Sequence, residues 1–117
     1  MAFWNFEKYA DKVAVIDDCG NTIGYKELVL HCDNLASAIG GRCLVFNMCR
    51  NTIGSLLGYA GMIQNGIVPV MIKADLNSDL FEELINEYRP EYVWMPQEDI
   101  DKRNWKKEDV VYRDFDY

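Results

Sequence analysis

The residues of this 117-residue chain that could carry chemistry are few, and they cluster at the ends of expected strands. Asp17 and Asp18 follow the apolar run Val13-Ala14-Val15-Ile16 directly. An acidic pair in that position can hold Mg²⁺ for phosphoryl transfer, provided a third carboxylate at the tip of a later strand shares the metal. The next two parallel strands end in Asn47-Met48-Cys49-Arg50 and Ile72-Lys73-Ala74-Asp75, and Asp75 falls past a strand tip. Gly20 and Asn21 suit a tight turn, so Asp17 and Asp18 read as hairpin chemistry. His31 is the single histidine and lies at the edge of an apolar helical stripe. It reads as a partly buried packing residue, and no second histidine exists for a relay or a multi-histidine zinc site. Asn47 and Arg50 stand at a strand-to-helix junction, the edge at which parallel sheets bind ligands. They are the best polar candidates, with a helix cap and a surface arginine as the plainer roles.

Other patterns carry less. Cys19, Cys32, Cys43 and Cys49 include no pair at the two-residue spacing of a zinc knuckle or redox dithiol. Cys32 and Cys43 read as small buried hydrophobes, which points to reduced thiols. Gly54, Gly58 and Gly61 match neither G-x-G-x-x-G after a strand nor G-x-x-x-x-G-K-[ST], so no phosphate cradle is expected. The tyrosines and tryptophans are scattered without interleaved basic residues and read as core and rim. The sequence therefore assigns no catalytic, cofactor-binding or metal-binding residue.

Composition sets the outer limits. A net charge of −7 argues against a nucleic-acid partner, because phosphate binding needs a basic face. Half of the residues are apolar and 26% are charged, as in ordinary globular domains. No basic-then-apolar leader and no bilayer-length apolar run is present, so a soluble cytoplasmic protein is expected.

The elements that would position these residues alternate. Phe3 to Tyr9 carries aromatics at helical spacing, suiting a short helix against the body. Val13–Ile16 and Thr22–Ile23 form an expected hairpin around Asp17–Asn21. Tyr25 to Ile39 is amphipathic, with Leu28, Cys32, Leu35, Ala36 and Ile39 on one face, and Gly40-Gly41 stops it. Cys43–Phe46 reads as a strand covered on both faces. The helix of about 52–65 is apolar all round, and its glycines imply close backbone packing. Gly66 follows as a C′ residue. Ile67–Ile72 is the next strand. Asp79 with Glu82 resembles a capping box for a helix buried along Leu80, Phe81, Leu84, Ile85 and Tyr88 and closed by Pro90. Tyr92–Met95 is a strand, Gln97–Asp109 a charged loop or short surface helix, and Val110–Tyr112 a last strand. Strand–helix alternation with short connections requires an α/β fold: a small, doubly wound parallel sheet with flanking helices plus the N-terminal hairpin, in one domain over 1–117.

In order and spacing these segments resemble the opening of the adenylate-forming, AMP-binding ligases: acyl- and aryl-CoA synthetases, luciferases and peptide-synthetase adenylation domains. Phe6 to Val15, FEKYADKVAV, is similar to the family's entry segment. Ile23 to Leu28, IGYKEL, resembles its Thr-Tyr-x-Glu-Leu helix start, with Gly24 where a capping Thr or Ser is usual. Asn34, Leu35 and Ala36 sit where that helix continues. Asn51 to Pro69, and then Leu80 to Val93, resemble the following helix–strand pairs, so the likeness spans Phe6 to Pro96.

The resemblance implies an N-terminal fragment of a larger enzyme that activates a small carboxylic acid with ATP and Mg²⁺, then passes it to CoA or a carrier thiol. The family's phosphate loop, acidic adenylate motif, hinge residue and catalytic lysine are all absent, so no catalytic residue carries over. The isolated chain is expected to be an inactive scaffold whose partner is the remainder of the parent ligase, with self-association across an exposed sheet edge. The alternatives are a stand-alone, non-catalytic interaction module of the same half-fold and a receiver-like signalling domain.

Overall fold

A computed structural model describes residues 5–117. Strands β1 (Val13–Ile16) and β2 (Thr22–Gly24) pair antiparallel, with a bulge between Val13 and Val15. The chain continues through α1 (Tyr25–Ile39), β3 (Leu44–Cys49), α2 (Ile53–Gln64), β4 (Val68–Lys73), α3 (Ser78–Tyr88), β5 (Tyr92–Trp94) and α4 (Gln97–Lys102). The parallel sheet has the order β4-β3-β5. Phe6–Tyr9 forms a single 3₁₀ turn, and Phe3 and Trp4 of the expected opening helix lie outside the described residues.

The central strand shows why both faces are covered. Side chains alternate along a strand. Val45 packs with Leu35, Met62 and Trp94 on the α1–α2 side, whereas Phe46 and Met48 pack with Phe81, Met95 and Ile100 on the α3–α4 side. Phe46, Met48 and Phe81 are buried almost completely, each worth about 1.5–3 kcal/mol by removal from water. The sheet is thus doubly wound, as the alternation of elements implies. The expected strand at Cys43–Phe46 starts one residue later and runs three residues further, because Asn47 is buried and stays in the ladder opposite Met71 and Trp94.

The amides of Val68, which opens β4, and of Ala74, just past its end, donate to the carbonyls of Cys43, just before β3, and Cys49, its last residue. Even-numbered amides therefore face β3, and Pro69 turns its missing donor to the sheet's free edge, where no ladder bond is lost. The hairpin lies over α1 and α2: Ile23, Leu28, Cys32, Ile53, Leu57 and Ala60 form one cluster, joined by Ala14, Val15 and Tyr25. Helix α1 ends at Gly40, whose φ of 87° closes the turn with its amide on the Ala36 carbonyl. The glycines of α2 permit close approach. A methyl on Gly58 would overlap the Trp94 indole, and one on Gly61 would press on Leu35.

Three local readings are corrected. Asn77, not the Asp79/Glu82 pair, caps α3: its Oδ1 accepts the amides of Asp79 and Leu80 at 2.9 and 3.4 Å. Only Phe81 of the α3 stripe is fully buried, while Leu80 and Tyr88 are 44% and 55% exposed. Val110–Tyr112 is extended but joins no ladder, since its side chains anchor it instead: Val110 packs against the α3–α4 cluster and Tyr112 stacks on Trp94. The Gln97–Asp109 stretch resolves into α4 and a 3₁₀ turn at Lys107–Asp109. Arg103, just past α4, staples it down by donating to the carbonyls of Ala74 and Leu76 at 2.8 and 2.9 Å while its guanidinium lies over the Phe81 ring.

Candidate functional site

The carboxyl ends of β3 and β5 lead to opposite faces of the sheet, β3 into α2 and β5 into α4. Where neighbouring strands part in this way a crevice opens, and ligands of open α/β sheets bind there. In this chain the crevice is filled by residues 114–117. Asp114 and Tyr117 exchange backbone hydrogen bonds at 3.0 Å, curling the segment so that the Tyr117 side chain points inward. Its ring stacks on Trp94 with centroids 5.5 Å apart. Its hydroxyl donates to the Met48 carbonyl at 2.6 Å and accepts the Arg50 amide at 3.2 Å. Burial pushes the Tyr117 phenol above its ordinary range, so it is a neutral donor at physiological pH.

Helix α2 forms the other wall. A Cβ at Gly54 would lie 2.7 Å from the Tyr117 ring, and the Gly54 carbonyl accepts the Trp94 indole N–H at 3.0 Å. Asn47, on the same side of β3, donates to the Ser55 carbonyl at 3.3 Å, and its buried Oδ1 has no partner among the described residues. Arg50 closes the rim, pairing with Glu98 at 2.5 Å and Asp116 at 3.2 Å. A second clip lies on α1, where His31 Nδ1 meets Asp114 Oδ2 at 2.5 Å and the imidazole packs edge-on against Phe115.

The sequence-level candidates separate clearly. Asn47 and Arg50 do meet at one crevice, but Asn47 is no helix cap; Thr52 caps α2 by accepting the Ser55 amide at 3.4 Å. Arg50 is half-buried in an ion-pair network. His31 packs as a partly buried residue, and the fold also brings it an acidic partner 83 positions away, Asp114. Asp17 spends its carboxylate on the turn, accepting from the amides of Cys19 and Asn21 at 3.0 and 2.7 Å and from the Asn21 side chain at 2.8 Å. The ligand atoms of Asp17, Asp18 and Cys19 lie within 4.8 Å of one another on this turn, and Asp75 is elsewhere, beside Lys73 at 3.6 Å. The signal missed in the sequence is Asp114-Phe115-Asp116-Tyr117: two carboxylates flanking aromatics, each finding a basic group set by the fold.

Solved structures show the same fold. The luciferase-like enzyme of the nonluminescent mealworm Zophobas morio superposes on 98% of this chain and 32% of its own length, with a TM-score of 0.72 and 17% identity. A benzoate CoA ligase from Burkholderia xenovorans matches 93% of this chain and 25% of its own, with a TM-score of 0.73 and 21% identity. The N-terminal subdomain of Klebsiella oxytoca NpsA matches 74% of this chain and 24% of its own, with a TM-score of 0.60 and 20% identity. The chain thus spans about a third or less of each of these structures. No protein-family model and no curated relative matches the sequence. The fold is that of the N-terminal part of adenylate-forming enzymes, in agreement with the sequence resemblance. Among the described residues, no helix is long and apolar enough to cross a membrane.

Proposed function

We propose that this chain is the N-terminal segment of an ATP-dependent, AMP-forming acyl-CoA synthetase-like ligase, and that it acts there as a scaffold on the acyl-binding side of the cleft. The observation that carries this reading is the near-complete superposition of the chain on only a quarter to a third of two larger enzymes. Acyl-adenylate formation needs cations and a loop around the transferring phosphoryl oxygens. The residues at the carboxyl edge do not fit a triphosphate: Arg50 faces Glu98 and Asp116, Lys73 faces Asp75, and Lys102 faces Glu98 and Asp99. On this reading ATP, Mg²⁺, the small carboxylic acid and CoA or a carrier thiol belong to the remainder of the parent ligase, its principal partner, and the protein works in the cytoplasm. The free edge of β4, with Val68 and Met71 41% and 49% exposed, is where the chain would self-associate.

The test is enzymatic and genetic together. The pure chain should catalyse no carboxylate-dependent exchange of pyrophosphate into ATP, and the codons after Tyr117 should encode a Ser/Thr/Gly-rich loop ending in lysine within about a strand's length. Exchange by the chain alone would refute the scaffold role. A second reading, a stand-alone interaction module of the same half-fold, is favoured by the way residues 114–117 close the crevice from within; a native stop codon after Tyr117 would select it. Light scattering tests the β4 edge, with a monodisperse monomer at high concentration counting against self-association.

A further inference from the structure

We propose that the crevice between β3 and β5 is a binding slot for a small para-hydroxyaryl ring, occupied in this structure by the chain's own Tyr117. The slot has the two parts that small-molecule sites combine, apolar walls and a few fixed polar groups. Its walls are close: the Trp94 ring lies 23° from the plane of the Tyr117 ring, and the bare backbone of Gly54 comes near enough that a Cβ there would lie 2.7 Å from that ring. Its floor offers one acceptor, the Met48 carbonyl, and one donor, the Arg50 amide, the complement of a single hydroxyl. Both come from the end of a buried strand, so they are fixed before anything enters.

Asn47 adds a further polar group on the same side of β3. It is fully buried, and its Oδ1 finds no partner among the described residues. Buried acceptors without partners are rare and costly, and a site that also serves a ligand is one reason for keeping one. The occupant is held by a short strap. Its Arg50–Asp116 clip is partly exposed and contributes little, and the strap is tied further by Gln97, which donates to the carbonyls of Phe115, Asp116 and Tyr117, and by His31 on Asp114. A free ring would compete with the Tyr117 side chain itself, which packs in the cluster of Leu35, Val45, Met62 and Trp94, so the site opens fully only when that side chain is removed. This inference does not depend on the ligase reading, since it concerns only residues 47–58, 94 and 114–117.

The experiment uses p-cresol as the probe and toluene as the ring without a hydroxyl. In a Tyr117→Ala variant, p-cresol is expected to quench Trp fluorescence saturably and to raise the melting midpoint by roughly 4 °C or more at tenfold over its Kd. Toluene should give a third of that or less. The wild-type chain should need at least about tenfold more p-cresol, because the tethered ring competes at high effective concentration. Should the variant fail to fold, the wild-type chain still decides the matter by NMR. Saturable shifts of the Trp94 indole N–H and the Arg50 amide with p-cresol, and not with toluene, are expected. Equal responses to the two probes, or no saturable shift at Arg50, would overturn the proposal.

Discussion

The Tyr117 hydroxyl donates to the Met48 carbonyl at 2.6 Å, tying the 114–117 strap to the end of the central strand. The same hydroxyl accepts the Arg50 amide, so one atom satisfies two backbone groups that β3 leaves unpaired as it turns toward α2. Backbone groups at that depth need partners, which makes Tyr117 a structural stitch as well as a filler.

Tyr117→Phe keeps the ring on Trp94 but strands the Met48 carbonyl. A loss of about 1–3 kcal/mol is expected, the cost of an unsatisfied buried acceptor. Urea denaturation followed by fluorescence measures it, and an unchanged midpoint would show that water replaces the hydroxyl at no cost.

Gly58→Ala tests the close approach of α2 to the sheet. Helix propensity alone would favour alanine by about 0.8–1.0 kcal/mol. The new methyl would overlap the Trp94 indole, and overpacking of this kind costs about 1–3 kcal/mol. The variant should be less stable and should show an altered Trp94 near-UV signal, because the ring must leave its bond to the Gly54 carbonyl. A stabilised variant would mean that the helix stands further from β5.

The two capping schemes for α3 make different demands. With Asn77 as the cap, Asn77→Ala should cost about 1 kcal/mol. Glu82→Ala, which would be equally harmful in a capping box, should leave the unfolding midpoint nearly unchanged. The reverse ranking would restore the Asp79/Glu82 box.

Alkaline titration reports on the buried thiol of α1. Burial pushes Cys32 up to about 11, with Asp33 adding to the rise. A folded-state value raised above the unfolded one gives stability that is complete below the unfolded value and is lost as pH climbs through the folded one. The urea midpoint should therefore fall between pH 9 and pH 11, and the buried Tyr117 phenol should steepen the fall above pH 10. Cys32→Ala should remove the lower part of that dependence. In the native state at pH 8, Cys32 should be the slowest of the four cysteines toward a thiol reagent, with the exposed Cys19 modified far sooner. Equal rates would place Cys32 at the surface.

Much of this architecture is legible in the residues themselves. Helix α1 matches its amphipathic span from Tyr25 to Ile39, because Gly40 and the periodic Leu28, Cys32 and Leu35 are local signals. The hairpin follows from Asp17–Asn21 for the same reason. Resemblance supplied the larger frame, and the solved structures bear out its fold.

What was not legible depends on distant partners. Asn47 interrupts an apolar run, and only the packed α2 carbonyl at Ser55 explains why the strand continues through it. Val110–Tyr112 has strand-like residues, yet Trp94 claims the Tyr112 ring and no ladder forms. The crevice itself was only half visible: Arg50 could be placed at a strand end, but nothing local announces that Asp116 and Tyr117 close over it.

As the proposed scaffold of an adenylate-forming ligase, this chain would grip no nucleotide of its own. Titration calorimetry of the pure chain with MgATP tests this most directly. No saturable heat is expected up to millimolar nucleotide, because Glu98, Asp116, Asp75 and Asp99 beside Arg50, Lys73 and Lys102 offset the positive field a triphosphate needs. A stoichiometric isotherm abolished by Arg50→Ala would contradict the account and make this chain a nucleotide-binding domain in its own right.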